Sequence, residues 1–269
     1  MLRDITLGQY YRTESVLHRL DPRVKLVATF MFIISLFLVK NFVGYIVAAL
    51  FLAMGIALSK VPPKFIFRGM KTIFFLLLIT MVFNLFLTPG KELVSFWKLT
   101  ITYEGLKMAV MMGVRLIFLI TGSSLMTLTT TPNNLTDGLE SLLRPLKLFK
   151  VPVHEISMMM SIALRFIPIL MEETDKIMKA QMARGADFES GSLINRAKSL
   201  VPLLVPLFIS AFRRANDLAM AMEARCYRGG DGRTKMKPLI YKKADYVAYA
   251  VIVIYLVLII LLGRILSWI

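Results

Sequence analysis

Long apolar runs alternate with charged or proline-containing stretches over most of the chain. A helix that crosses a membrane needs roughly 17 to 25 consecutive, mainly apolar residues, and the runs have about that length. They predict an all-α, polytopic membrane protein with about five transmembrane helices. The predicted helices occupy residues 24–39, 42–58, 72–87, 105–130 and 244–269, with a polar loop at 88–104.

Residues 132–243 have a different pattern, because charged residues occur throughout. The two apolar runs of this region, 156–171 and 200–212, are short for a transmembrane helix and are interrupted by proline or charge. This pattern favours two long amphipathic helices at or under the membrane surface, and two further transmembrane helices are the alternative. The predicted organisation is a cytoplasmic lead-in (1–23), a four-helix transmembrane region (24–131), a helical cytoplasmic domain (132–243) and a final transmembrane helix (244–269).

Composition supports membrane insertion and predicts an orientation. Of the 269 residues, 57% are hydrophobic, and the mean hydropathy is +0.67, whereas soluble domains are about 45–50% apolar. The net charge is +16. Lysine and arginine are concentrated in the lead-in, in the loop 60–71 and in residues 132–243, which are therefore expected to be cytoplasmic. The basic residues are not interleaved with aromatics, so nucleic acid is not an expected partner.

Motifs for catalysis and for metal binding are missing from the sequence. It has no phosphate-binding loop, no His-Glu-x-x-His motif and no Gly-x-Ser-x-Gly motif. Its two histidines and single cysteine form no metal-ligand cluster. The predicted spans hold almost no carboxylates, which carriers driven by protons or sodium usually contain. We expect a non-catalytic chain, without a cofactor of its own, that transmits movement produced in another chain.

Arg115 is a charged residue inside the predicted helix 105–130. A charge within a membrane is costly unless it faces the interior of the helix bundle. We expect its guanidinium to donate hydrogen bonds to carbonyl oxygens or to a neighbour such as Asn84.

The segment before the first predicted span combines a helix start with basic residues. Asp21 can cap a helix that begins at Pro22. We interpret the segment as an interfacial lead-in helix with basic anchors, and a specific partner role for His18, Asp21 or Arg23 is the alternative.

Two helix ends carry the most distinctive pattern in the chain. Each places Ala-Arg followed by a small residue at the end of a long helical segment, as Ala183-Arg184-Gly185 and as Ala224-Arg225-Cys226. A single such arginine would be explained by the helix macrodipole, which favours a cation at a helix C-terminus. The repetition, and the small residues that leave each guanidinium unobstructed, favour docking of both ends to a partner with two equivalent grooves.

Several motifs together resemble the transmembrane T component of energy-coupling factor transporters, the vitamin-uptake branch of the ABC transporters. The resemblance covers almost the whole chain, and the two arginine ends are its most specific part. The family pattern usually has glycine after the second arginine, where this chain has Cys226. The matching segments are residues 17–26, 101–106, 115–116, 130–132, 164–168, 183–185 and 224–226.

The resemblance implies a scaffold in the cell membrane of a prokaryote. Residues 132–243 would be its coupling domain, and Arg184 and Arg225 would each seat in one of two ABC ATPase subunits, which would bind ATP and magnesium. Closure of the ATPases would then move a small membrane S component that binds a vitamin or a metal ion. The platform under that S component would be the apolar faces around Met158, Met159 and Met160 and along residues 202–209, including Pro202 and Pro206; for the methionines, packing within the coupling domain is the alternative. A stand-alone channel or a structural membrane anchor remains the other reading.

Overall fold

The structure is a computed structural model that describes residues 10–39, 41–96, 99–188, 192, 194, 198–230, 232 and 236–265. Residues 1–9 of the predicted lead-in and 266–269 of the predicted final helix lie outside the described residues. Two compact units are formed. We call Gly8–Ser141 together with Leu239–Ile269 the bundle unit, and Leu142–Pro238 the long-helix unit.

The chain is almost entirely helical, which confirms the predicted fold class. The bundle unit also contains two short strands, which pair in an antiparallel hairpin, and a 3-10 helix, Arg144–Phe149, lies between α6 and α7. The elements are α1 (Val16–Arg19), α2 (Pro22–Leu38), α3 (Phe42–Ser59), α4 (Pro63–Leu87), β1 (Glu92–Phe96), β2 (Leu99–Thr102), α5 (Tyr103–Thr129), α6 (Pro132–Leu143), α7 (Val153–Ala183), α8 (Val201–Ala224) and α9 (Lys243–Ile265).

Four helices among the described residues are long and apolar enough to cross a membrane, or five if the bent helix α4 is counted. Helices α3, α5 and α9 and the second part of α4 correspond to predicted spans. The predicted span at 24–39 corresponds to α2, which has 17 residues and is therefore only about 26 Å long. Helix α7 also has the length and composition of a span, so the alternative of further spans in residues 132–243 stays open.

Two parts of the structure differ from the predicted loops. Helix α4 already begins at Pro63, within the predicted basic loop 60–71, because proline is well suited to the first position of a helix. It bends by 62° between Pro63–Lys71 and Ile73–Leu87. The predicted polar loop 88–104 contains the strands β1 and β2, in which Glu92 pairs with Thr102 and Phe96 with Leu99.

The core of the bundle unit lies where α2, α3 and α9 meet. Aromatic side chains fill its centre, and the rings of Phe51 and Tyr255 stack with centroids 4.3 Å apart. The hydroxyl groups of Ser35 and Tyr255 are 2.7 Å apart, so the polar atoms buried there are paired. Many large apolar side chains point outward instead, such as Phe30 and Phe75, as expected of helices in contact with lipid.

Arg115 faces the interior of the bundle unit. Its Nη2 donates to the carbonyl oxygen of Val39 at 3.3 Å, and its Nε donates to the hydroxyl of Tyr45 at 3.1 Å. The predicted bond to a carbonyl is confirmed, but Asn84 is not the neighbour, because its amide donates to Thr80 within α4. The charge lies at the end of α2, where a cation complements the helix macrodipole.

A buried carboxylate joins the first residues of α2 to those of α9. Asp245 is only 1% exposed. Its Oδ1 accepts from the backbone N–H of Asp21 at 2.8 Å, and its Oδ2 accepts from the backbone N–H of Lys242 at 2.7 Å. One side chain therefore satisfies backbone groups at the starts of two helices. Asp21 caps α2 with Pro22 in the first turn, as predicted.

Arg23 and Lys25 complete this charged cluster. Arg23 binds both carboxylate oxygens of Asp21, at 3.0 and 2.8 Å, and its guanidinium stacks 3.9 Å above the ring of Tyr241. The ammonium group of Lys25 donates to the carbonyl oxygens of His18 at 3.3 Å and Thr129 at 2.9 Å. These carbonyls are at the ends of α1 and α5, so Lys25 neutralises two helix C-termini.

His18 should make the folded state sensitive to mild acid. Burial lowers the pKa of His18 below its usual value of 6.5, and the charge of Lys25 contributes, although a hydrogen bond to the carbonyl of Tyr11 opposes the shift. Between 6.5 and the lowered pKa, the unfolded chain binds a proton that the folded chain resists. The contribution of His18 to the free energy of unfolding is therefore complete above pH 6.5, and it is lost as the pH falls through the lowered pKa of the folded state.

We expect the melting temperature of the purified protein to fall between about pH 7.5 and about pH 5.5, and to fall less in His18→Gln. An equal fall in both proteins would contradict the assignment. Asp21 does not titrate in this pH range. Burial alone would raise its pKa, but Arg23 outweighs burial and holds the pKa of Asp21 below 3.8.

Candidate partner-docking site

The first Ala-Arg end is closed by a Schellman motif at the end of α7. Arg184 is the C-cap residue, and Gly185 follows with φ +89°, in the left-handed region. The backbone N–H of Gly185 donates to Met182 at 2.9 Å, and that of Ala186 donates to Gln181 at 3.0 Å. These two bonds define the motif and satisfy carbonyls that a helix end otherwise leaves without a partner.

The second Ala-Arg end has the same backbone geometry at the end of α8. Arg225 is the C-cap residue, and Cys226 follows with φ +54°. The N–H of Cys226 donates to Glu223 at 2.8 Å, and that of Tyr227 donates to Met222 at 3.0 Å. The two ends differ in the residue that follows the arginine, Gly185 in one and Cys226 in the other, but form the same three-dimensional motif.

Both arginines are presented outward. All six residues of the two ends are exposed: Ala183, Arg184, Gly185, Ala224, Arg225 and Cys226. Within the part of the chain that the structure describes, neither guanidinium makes a hydrogen bond or an ion pair. Each helix thus ends in an exposed cation on a rigid, closed turn.

Contacts between α7 and α8 show that the two helices are antiparallel. Arg214 on α8 pairs with Glu173 on α7 at 3.1 Å. Further along α7, the amide of Gln181 donates to the carbonyl of Pro202, at the start of α8, at 3.3 Å. Helices rise 1.5 Å per residue, so the two arginine ends are on the order of 35 Å apart along the pair.

The space between the two helices is only partly filled. A cavity of about 280 Å³ lies along their contact. On α8 its lining includes three small side chains one turn apart, Ala211, Ala215 and Ala219, and on α7 it is lined by residues such as Phe166 and Leu170. Each helix also contains a proline near this region, Pro168 in α7 and Pro206 in α8. The Glu173–Arg214 ion pair is therefore a principal polar contact at a loosely packed crossing.

The predicted platform residues lie at two places along the pair. Met159 and Met160 are exposed, and Met158 partly so, in the first half of α7. Pro202 is exposed and Pro206 partly exposed near the start of α8, so the antiparallel packing separates the two groups by roughly 30 Å. The apolar face that the platform prediction placed along residues 202–209 forms an exposed stripe on α8, which extends slightly beyond that range at both ends. Its exposed apolar side chains are Val201, Leu204, Val205, Phe208, Ile209 and Phe212.

Replacing Cys226 with glycine is expected to stabilise the protein. A side chain at a left-handed position costs about 1–2 kcal/mol, and glycine removes that strain but adds flexibility to the unfolded chain. The net expectation is a gain of about 0.5–1 kcal/mol, read as a higher melting temperature. Ala224→Gly, two residues earlier in the helix, should lower stability instead. A lower melting temperature for Cys226→Gly would show that the thiol makes a compensating contact.

Comparison with known proteins gives one consistent result. Residues 13–236 match the family of cobalt transport proteins CbiQ. The chain is 58% identical over 250 residues to the energy-coupling factor transporter transmembrane protein EcfT of Clostridium kluyveri, covering 92% of this chain and 93% of that protein. It is 52% identical over 262 residues to EcfT of Ruminiclostridium cellulolyticum (97% and 98% covered). Identity to EcfT of Bacillus subtilis is 48% over 249 residues (91% and 93% covered).

Proposed function

Because the chain belongs to the CbiQ family and is a transmembrane T component of an energy-coupling factor transporter, we propose that it couples two cytoplasmic ATPases to a membrane substrate-binding S component. The observation that carries this proposal is the pair of matching Schellman ends, each with an exposed arginine at the C-cap. The long-helix unit would lie on the cytoplasmic side, together with the N-terminus of the chain.

The chemistry of each end suits a groove lined by carboxylates. A guanidinium presents several N–H donors in a fixed plane and can bind a carboxylate through two parallel hydrogen bonds. The closed turn at Arg184 and Arg225 holds the backbone fixed, so docking costs little backbone conformational entropy. Two ends on the order of 35 Å apart suit two separate ATPase subunits better than one groove.

The S component would lie on the exposed apolar side chains of the long-helix unit. The stripe on α8 from Val201 to Phe212 and the exposed Met159 and Met160 on α7 are available for it. Methionine adapts its shape to different partners, which suits a surface that accepts more than one S component. ATP-driven closure of the ATPases would move α7 and α8, and the S component would release a vitamin or a metal ion into the cell.

The proposal is tested by co-purification from membranes in mild detergent, with partners identified by mass. The wild type is compared with Arg184→Glu/Arg225→Glu and with a matched double reversal, Lys179→Glu/Arg228→Glu. The control residues are exposed cations close to the same two ends. We expect ATPases to accompany the wild type and the control but not the first variant, while all three elute as folded protein.

Two other outcomes would count against the proposal. Equal retention of ATPases by both double variants would show that docking does not use the arginine ends. If no ATPase accompanies the wild type under conditions that preserve membrane complexes, the coupling function fails, and an anchor or a channel takes its place.

A further inference from the structure

An apolar cavity of about 240 Å³ enters the bundle unit from its outer surface. Its inner wall is formed by buried core residues, among them Val24, Phe32 and Ile252. Its mouth is formed by exposed apolar residues, among them Met54 on α3 and Val247 on α9. An apolar cavity of about 150 Å³ is already large enough to hold a benzene-sized molecule without water.

The mouth of this cavity opens toward the medium that surrounds the bundle. Helices α3, α5 and α9, whose residues line it, have the length and composition of membrane spans, so that medium is the acyl chains of lipids. Burial of apolar surface gives no advantage there, because lipid tails are as apolar as the cavity wall. A chain that enters gains packing contacts that the wall of an empty cavity lacks.

The rim of the cavity is basic at one end of the bundle. Lys243 lies one helical turn before Val247 on α9, and Lys60 follows directly after α3, near Leu58, which also lines the cavity. Lys60, Lys242 and Lys243 are exposed and make no ion pair with a described residue.

Among the described residues, three carboxylates near this end are already paired. Glu14 pairs with Arg19 at 2.6 Å and Asp21 with Arg23 at 2.8 Å. Asp245 accepts two backbone N–H groups. The rim therefore offers positive charge close to an apolar opening.

From the cavity and its rim together, we infer that the bundle unit binds one anionic phospholipid, with an acyl chain in the cavity and the phosphate at Lys60, Lys242 and Lys243. The acyl chain supplies what the apolar wall lacks, and the headgroup supplies the negative charge that the rim lacks. Each lysine near a membrane surface strengthens the attraction of an anionic lipid by about fivefold. The site is separate from the arginine ends and does not depend on the ATPases.

The test uses the full chain in nanodiscs made of equal parts phosphatidylglycerol and phosphatidylcholine. The protein is then washed in mild detergent, and the lipids that remain bound are counted by native mass spectrometry. We expect the wild type to retain one phosphatidylglycerol molecule. Ala248→Phe fills the cavity from α9 and should abolish retention, whereas Ala250→Phe, an exposed position on the same helix outside the cavity, should not.

A second pair of variants tests the headgroup. Lys242→Gln/Lys243→Gln should weaken the preference for phosphatidylglycerol over phosphatidylcholine by roughly fivefold per lysine. Lys107→Gln, which changes an exposed lysine in the first part of α5, should leave the preference unchanged.

A second cavity-filling variant is available if Ala248→Phe elutes as misfolded protein. Ala28→Leu fills the same cavity from α2 and should also abolish retention.

Three results would overturn the assignment: no retained lipid in the wild type, equal retention by the folded cavity-filling variant, or equal retention of both headgroups by the wild type. The last result would identify an acyl-chain site without recognition of the anionic headgroup.

Discussion

Asp245→Ala is expected to destabilise the bundle unit by about 3 kcal/mol, which corresponds to a melting temperature lower by on the order of 5–10 °C. The reason is that one carboxylate, 1% exposed, serves two backbone donors at the same time. Its removal leaves the N–H groups of Asp21 and Lys242 without their acceptor. A buried donor that loses its partner costs roughly 1–3 kcal/mol.

The loss should depend on hydrogen bonding more than on volume. Asp245→Asn keeps the shape and one acceptor oxygen, so it should recover part of the stability that alanine loses. Glu14→Ala removes a carboxylate that is paired with Arg19 on the surface, and exposed pairs contribute little. Melting temperatures of the three variants in one detergent make the comparison. If alanine and asparagine lower the melting temperature equally, the negative charge rather than the number of acceptors is the important property.

Reversal of a single arginine, Arg184→Glu or Arg225→Glu, is expected to abolish ATP-driven uptake even though the other end is intact. Under the proposed function each end seats in one ATPase subunit, and removal of a charged docking contact costs on the order of 2–5 kcal/mol. An unseated end would let one subunit close without moving its helix.

ATPase affinity and uptake should respond differently to these variants. The two ends are on the order of 35 Å apart, so their effects on the binding free energy of the ATPases should be additive. Uptake should already be at background in either single variant. The measurements are ATPase binding, and uptake by proteoliposomes of the substrate that the co-purified S component binds. Lys179→Glu and Arg228→Glu are the controls, and substantial uptake by either single arginine variant would contradict the coupling role.

Features that depend on neighbouring residues could be predicted from the sequence. The apolar runs gave the order of the helices, and Asp21 with Pro22 gave the start of α2. The Ala-Arg-small pattern placed the two helix ends. Each of these features is determined within a few residues by hydrophobic length or by capping.

Features that depend on residues far apart in the chain could not be predicted. The roles of Lys25 and Asp245 were not predicted, because each has one partner more than a hundred residues away: Thr129 for Lys25 and Asp21 for Asp245. For Arg115 the bond to a carbonyl oxygen was predicted, but its side-chain partner Tyr45 was not, since nothing local indicates that the start of α3 lies beside it. The β1–β2 hairpin was missed for a different reason: it pairs residues only three to ten positions apart, but the strand preferences of single residues are weak and depend on context.

The bond between Asp245 and the backbone of Asp21 also has a consequence for biosynthesis, because its two residues are 224 positions apart. At a synthesis rate of about 5–20 residues per second, Asp21 leaves the ribosome roughly 11–45 s before Asp245. During that interval the nascent chain has its first helices in place but not the carboxylate that joins α2 to α9. Until α9 has been made, the N–H of Asp21 lacks its acceptor, so we expect a chain that ends before α9 to be less stable in cells than the full chain, measured as its half-life after synthesis is stopped.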